Sequence, residues 1–171
     1  DCGEGTQRQL KHASLKSTKI SRIIISHFHA DHVLGIPGLV RSLIASDYQK
    51  TLHIYGPKDI HKFINSMLNS AYYGNKLSIE LHEFSKGVIF ENDKFSIEAV
   101  PLAHSVPSFG FIVKEKDRRK INLDYLSKFN LKQHPLLGIL QKGKDIVFNN
   151  KKISFKKATF VVPGKKLGFI F

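Results

Sequence analysis

His27-Phe28-His29-Ala30-Asp31-His32 places four candidate metal ligands within six residues, at what reads as a strand-to-helix turn. The apolar run Ile23-Ile24-Ile25 and Ser26 precede it, and Val33-Leu34-Gly35-Ile36-Pro37-Gly38-Leu39 follows as the opening of a helix. In extended chain, side chains at i and i+2 share a side, so His27 and His29 can grip one ion from a strand end. Asp31 and His32 then fall where the backbone turns, free to face a second ion beside the first. Imidazole and carboxylate donors suit zinc ahead of manganese or iron. This density of ligand-type residues points to a metal-dependent hydrolase.

The chain has 171 residues, enough for one domain with a real core, and its 42% hydrophobic content is ordinary for a globular protein. It contains no apolar run of about 18 residues, so no transmembrane helix and no membrane partner are expected. Residues 1–6 lack the charged start and apolar segment of a signal peptide. A single cysteine, Cys2, excludes an internal disulfide and fits a reducing cytoplasm; it reads as a small buried residue near a strand end. The net charge is +13, and it is unevenly placed. Residues 114–157 hold 13 Lys or Arg against 4 Asp or Glu, a net of +9, leaving +4 for all the rest. A basic segment of that kind favours a polyanionic partner, because neutralising phosphates releases condensed counterions.

Along the chain, residues 1–5 read as a strand exit and tight turn, and Thr6-Gln7-Arg8-Gln9 as a capping box opening a helix to about residue 15. Residues 19–26 read as strand, 37–46 as helix and 51–55 as a short strand. Pro57 suits a first helical position, and Ile60, Phe63, Ile64, Met67 and Leu68 keep helical spacing to about residue 69. Strands are expected at 77–84, 88–91, 95–102 and 108–113. Beyond 114 the pattern weakens: helices at 123–129 and 135–140, then a hairpin of 145–148 and 151–155 turning at Asn149-Asn150. Residues 167–171 resume an apolar strand. The class is α/β (α+β).

His104 is the next ligand candidate, standing just past the alternating strand in Val100-Pro101-Leu102-Ala103-His104-Ser105. With His27 and His29 it would make a three-histidine set, while Asp31 and His32 would serve a neighbouring ion. Two ions about 3.5–4 Å apart can activate a water and clamp a phosphodiester for in-line displacement. His12, His53, His61, His82 and His134 read as isolated surface or packing residues, and Glu80 and Glu83 as solvent-facing. Phe109 and Phe111 share a strand face and read as core rather than as a base-stacking platform.

These segments resemble the metallo-β-lactamase fold and, more narrowly, the ribonuclease Z family of tRNA 3′-processing endoribonucleases. The resemblance is carried by Asp1-Cys2-Gly3-Glu4-Gly5-Thr6-Gln7-Arg8, residues 27–39, Ile54-Tyr55-Gly56-Pro57, residues 103–111 and Lys116-Asp117-Arg118, in the family's order. It implies a partial αββα sandwich with a basic arm insertion: core over residues 1–113, arm over 114–166 and a returning core strand over 167–171. It implies that His27, His29 and His104 hold one Zn2+, that Asp31 and His32 serve a second, and that Asp31 accepts the proton of the attacking water. Asp1 would brace the ligand loops. The arm would grip precursor tRNA, with Arg118, Arg119, Lys120, Lys142 and Lys144 as candidate contacts, and would act across a cytoplasmic homodimer.

Two departures stand out. The family's Gly-Pro-rich arm tip corresponds here to Gln133-His134-Pro135-Leu136-Leu137-Gly138, with no Gly-Pro pair. The resemblance also implies a strand before Asp1, and a bridging aspartate and further histidines after Phe171. The chain is therefore expected to be a fragment of an enzyme and inactive alone. Two other readings stay open: another hydrolase of this fold acting on small phosphodiesters, thioesters or lactones, and a non-catalytic RNA-binding relative.

Overall fold

The computed structural model describes residues 1–72 and 77–171. The chain divides into two units, Asp1–Glu91 with Ser96–Val113 and Leu167–Phe171, and Asn92–Phe95 with Lys114–Lys166. The first unit runs α1 (Thr6–His12), a 3-10 turn (Ser17–Lys19), β1 (Arg22–Ile24), α2 (Ala30–Val33), α3 (Ile36–Ala45), β2 (Leu52–Gly56) and α4 (Ile60–Leu68). It continues with β3 (Ile79–Glu83), β4 (Gly87–Glu91), β5 (Phe95–Leu102) and β6 (Ser108–Glu115). Strands β1, β2 and β3 form a parallel sheet in that order, with Ile23 opposite Ile54 and Ile54 opposite Leu81.

Alternation along these strands decides which face is covered. Ile23, Leu52 and Ile54 turn into one core with Ile36, Leu39, Val40 and Leu43 of α3 and Ile60 and Ile64 of α4. The α3 residues recur at i, i+3, i+4 and i+7, one helical stripe. Each fully buried aliphatic side chain contributes about 1.5–3 kcal/mol. The helix start expected at Pro57 is displaced to Ile60, because Asp59 adopts a left-handed φ of 70°. Its backbone N–H is held by Glu83 Oε2 at 2.9 Å. The capping box expected at Thr6 does not form either: Gly5, φ 77°, is the cap, and the Thr6 hydroxyl donates back to the Gly3 carbonyl at 2.7 Å. Helix α1 accordingly ends at His12 rather than near residue 15. Phe84 meets both Phe109 and Phe111 edge-on, with ring centroids 5.2 and 5.9 Å away; Phe111 is buried and Phe109 half-buried, both packed against a neighbouring ring.

The second unit contains β7 (Arg118–Ile121), α5 (Leu123–Ser127), α6 (Leu136–Gln141), β8 (Ile146–Phe148), β9 (Lys151–Ile153), α7 (Phe155–Ala158) and β10 (Thr159–Val162). Its own small core gathers Leu126, Leu131, Leu140, Ile146, Ile153 and Ala158. β8 and β9 form the expected antiparallel hairpin. Asn149 and Asn150 turn it with φ of 50° and 56°, the left-handed pair that matches strand twist. The second strand stops at Ile153 rather than 155, because the Phe155 N–H donates to Asp145 Oδ1 at 3.0 Å and opens α7. The antiparallel pairing of β7 with β10 has no apolar alternation to announce it in Arg118-Arg119-Lys120-Ile121. The chain then closes with β11 (Lys166–Phe169), an outer strand of the sheet ordered β11-β6-β5-β4.

Candidate metal centre

Ile25 extends the line of β1, its N–H reaching the Tyr55 carbonyl at 2.8 Å, and the chain then leaves the sheet at Ser26. His27 and His29 turn to one side. Phe28 turns to the other and stacks on Phe63 of α4 with centroids 4.4 Å apart, anchoring the segment from behind. His104 arrives from beyond the end of β5. His29 Nδ1 lies 3.1 Å from His27 Nε2 and 3.2 Å from His104 Nε2. The three donor atoms all lie within 4.8 Å of one another, with His27 buried, His29 half-buried and His104 exposed.

That triangle has a chemical consequence. A ring nitrogen has one in-plane proton or one lone pair, so His29 Nδ1 cannot hydrogen-bond both neighbours. With Zn–N bonds of about 2.0–2.1 Å, tetrahedral ligand atoms stand about 3.3 Å apart, close to the two separations found. The donor set fits zinc. Burial first, and then the neighbouring His32, His29 and His104 rings, push the His27 imidazole below its ordinary pKa; Asp31 pulls weakly the other way. The neutral form, the one that ligates, is favoured.

Hydrogen bonds behind the triangle orient His27 and the neighbouring His32. Asp1 Oδ1 accepts the Ser26 N–H at 2.6 Å, and Asp1 Oδ2 accepts the Ser26 hydroxyl at 2.8 Å. Having given its proton to Asp1, the hydroxyl must accept from His27 Nδ1, 2.9 Å away, which leaves the His27 Nε2 lone pair pointing at the other histidines. Asp1 Oδ2 also takes His32 Nδ1 at 2.8 Å. With Nδ1 directed at Asp1, the other ring nitrogen, Nε2, faces Asp31 Oδ2 3.4 Å away, which puts His32 Nε2 and the Asp31 carboxylate side by side as potential ligands. Asp31 is 80% exposed. Ser26, fully buried, carries no sequence signal beyond its position directly before the His-x-His pair.

The two loops meet backbone to backbone. Cys2 N–H donates to the His32 carbonyl at 2.8 Å, and Gly35 N–H to the Cys2 carbonyl at 2.9 Å. A Cβ on Gly3 would collide with the Asp31 carbonyl, and one on Gly35 with the Gly3 carbonyl. The Asp1–Gly5 turn is thus a structural brace.

Among the basic candidates, Arg118, Lys120, Lys142 and Lys144 are not buried. Arg119 points inward instead: its guanidinium lies 5.0 Å from the Phe155 ring and donates to Thr159 Oγ1 at 3.2 Å. His53 and His82 are not isolated, contrary to expectation; their ring nitrogens approach to 3.1 Å. The pairing register of β2 and β3 that joins them cannot be read from the sequence, although Glu80 and His82 at i and i+2 are a legible hint.

The model of a protein family described as "Anti-Pycsar protein Apyc1" matches residues 1–160. The chain belongs to that family. It is also similar to curated proteins named Ribonuclease Z: 38% identical over 160 residues to that of Thermococcus kodakarensis, covering 93% of this chain and 51% of the relative. The Ribonuclease Z of Nanoarchaeum equitans is 35% identical over 170 residues, covering 99% and 54%. The chain spans about half the length of the curated relatives it matches. Among solved structures, human tRNase Z, short form, aligns with a TM-score of 0.59 at 32% identity, over 68% of this chain and 52% of that one. The metallo-beta-lactamase fold protein YhfI from Bacillus subtilis, 22% identical, aligns at 0.53 over 66% and 43% and attests the fold alone. Members of the Apyc1 family and the ribonuclease Z relatives thus meet in a chain with a partial α/β, metallo-β-lactamase-type fold.

Proposed function

We propose that the gene product containing this chain is a zinc-dependent endoribonuclease that removes the 3′ trailer from precursor tRNA. The observation that carries this reading is the convergence of His27, His29 and His104 on one point, in a chain so similar to proteins named Ribonuclease Z. His27, His29 and His104 would hold one ion; Asp31 and His32 would contribute to a second. The ions, when bound, supply Lewis-acid activation of water and of the scissile phosphate. Asp31, exposed beside that point, takes the proton of the attacking water. Asp1 holds His32 by Nδ1 so that Nε2 faces inward, and through Ser26 does the same for His27.

In this reading the second unit is the tRNA-gripping arm, with Arg118, Lys120, Lys142 and Lys144 displayed to phosphates. The protein works as a cytoplasmic homodimer. Cleavage leaves a 3′-hydroxyl on the tRNA and a 5′-phosphate on the trailer. The deciding experiment incubates the zinc-loaded gene product with a precursor tRNA carrying a 3′ trailer and maps both product ends. A precursor left intact while a small phosphodiester is hydrolysed would transfer the assignment to a second reading, a small-phosphodiester hydrolase. That reading is favoured by one observation, the match of residues 1–160 to the Apyc1 family alongside the ribonuclease Z relatives.

A further inference from the structure

β2 and β3 lie side by side in parallel, with His53 opposite Glu80 and Tyr55 opposite His82. Alternation sends Leu52 and Ile54 into the core and leaves His53 and Tyr55 on the sheet's other face, where Glu80 and His82 also project. His53 Nδ1 is 3.1 Å from His82 Nε2 and 3.2 Å from Glu80 Oε2, and His82 Nε2 is 3.8 Å from the same oxygen. Two imidazole nitrogens and a carboxylate oxygen therefore form a second small triangle, sharing no residue with the first.

The same count of protons applies. His53 Nδ1 faces two partners with one proton or one lone pair to offer, so hydrogen bonding leaves one edge of the triangle unsatisfied. The edges bracket the separation of about 3.3 Å expected for ligands of a tetrahedral zinc ion. The rings are held in place before any ion arrives: His82 stacks on Tyr55 with centroids 4.4 Å apart, and His53 stacks on His82 at 5.3 Å. Arg22, the register partner of His53 on β1, lays its guanidinium over the Phe90 ring at 4.4 Å. The side chains of His53, His82 and Glu80 are 23%, 36% and 57% exposed, open enough for an ion to reach them and for water to complete its shell.

We propose that His53, Glu80 and His82 form a second metal site, taking a divalent first-row transition ion of the zinc class and tying β2 to β3. Two imidazoles with one carboxylate select zinc, copper or nickel over magnesium or calcium, which prefer all-oxygen shells. Because the register of two strands completes the site, the ion binds the folded sheet more tightly than the unfolded chain, and so stabilises the fold by mass action. This inference is independent of the nuclease reading.

The test counts zinc per chain by equilibrium dialysis of chelator-stripped protein, and follows the melting temperature as zinc is added. Glu80→Gln keeps size and exposure and is the safest variant for folding; His82→Gln removes a nitrogen ligand. Each is expected to bind one zinc equivalent fewer than the parent and to lose part of the zinc-induced rise in melting temperature, with an unchanged far-UV spectrum. His29→Ala should lose a different equivalent, so that the double variant with Glu80→Gln loses both. A Glu80→Gln protein that keeps the parent's zinc count and melting shift overturns the proposal, whatever the histidine variants do.

Discussion

The metal-ligand end of the first unit and the basic surface of the second are built on opposite principles. At the first, three ring nitrogens meet within a few ångströms, with the His27 ring oriented through Ser26 and Asp1 and the loop after it locked to the Asp1–Gly5 turn by close backbone contact. On the second, lysines and arginines are spread over a small fold whose core is only six fully or nearly fully buried side chains. A site made of geometry fails when one atom is removed. A surface made of charge fails by degrees, and salt weakens it in the same way that substitution does. On the proposed function, the largest expected effect is therefore His29→Ala in the gene product containing this chain: loss of the zinc held by His27, His29 and His104 and of tRNA cleavage, with tRNA affinity almost unchanged. Equal loss of cleavage and binding would erase the contrast between the two regions.

Next in size is Gly35→Ala. The added Cβ has backbone, not a flexible side chain, in its way, so the Asp1–Gly5 turn must shift. We expect a destabilisation of about 1–3 kcal/mol in denaturant unfolding, together with weakened zinc binding. Stability reduced with zinc affinity intact would mean that the turn does not brace the ligands.

What can be read from the sequence follows the same division. The His27–His32 cluster, the flanking strand and helix, and His104 at a strand end are all legible, because local alternation and ligand type carry them. The Asp1–Ser26–His27 chain of hydrogen bonds is legible only at Asp1, since a serine before a histidine has no distinguishing pattern. The His53–Glu80–His82 cluster is hidden because it depends on which residues of β2 and β3 stand opposite each other. The helix expected to open at Thr6 does begin there, though Gly5 caps it, whereas the start expected at Pro57 moves to Ile60 because of the left-handed backbone at Asp59. In the second unit, β7 is invisible to periodicity because charged residues occupy the positions where apolar alternation would have marked a strand, while β10, Thr159-Phe160-Val161-Val162, has strand-forming residues in too short a run to stand out.

A graded effect is expected from the basic surface. If the second unit grips tRNA as proposed, replacing Arg118 and Lys120 with Ala should lower tRNA affinity and flatten the dependence of log affinity on log salt by about 0.7–0.9 for each phosphate no longer neutralised. Hydrolysis of a small phosphodiester should be untouched. Arg119→Ala sharpens the comparison from within the same strand. Its guanidinium is committed to Phe155 and Thr159, so its removal should reduce the stability of the second unit by about 0.5–2 kcal/mol and leave the salt slope where it was. If Arg119→Ala changed the slope as much as Arg118→Ala, the inward and outward faces of β7 would not be distinct.

The smallest effect concerns pH. The N–H of Phe155 holds the Asp145 carboxyl below its ordinary range; desolvation opposes it, and Lys152 and Ser154 add to the lowering. A carboxyl whose folded pKa is depressed adds stability that is fully present above its unfolded pKa and is lost as pH falls through the lower folded value. The second unit should therefore weaken as the solution is acidified below about pH 4, while the hairpin turn at Asn149 and Asn150, which has no proton to gain, stays indifferent. Asp145→Asn keeps an acceptor for the Phe155 N–H but removes the titration. Its stability should lie slightly below the parent's at neutral pH, and the two should converge as pH drops, read from amide exchange in β8 and β9. Parallel curves at all pH values would show that the carboxylate's charge contributes nothing there, and that the hairpin is held by its turn and its buried Ile146 and Ile153 alone.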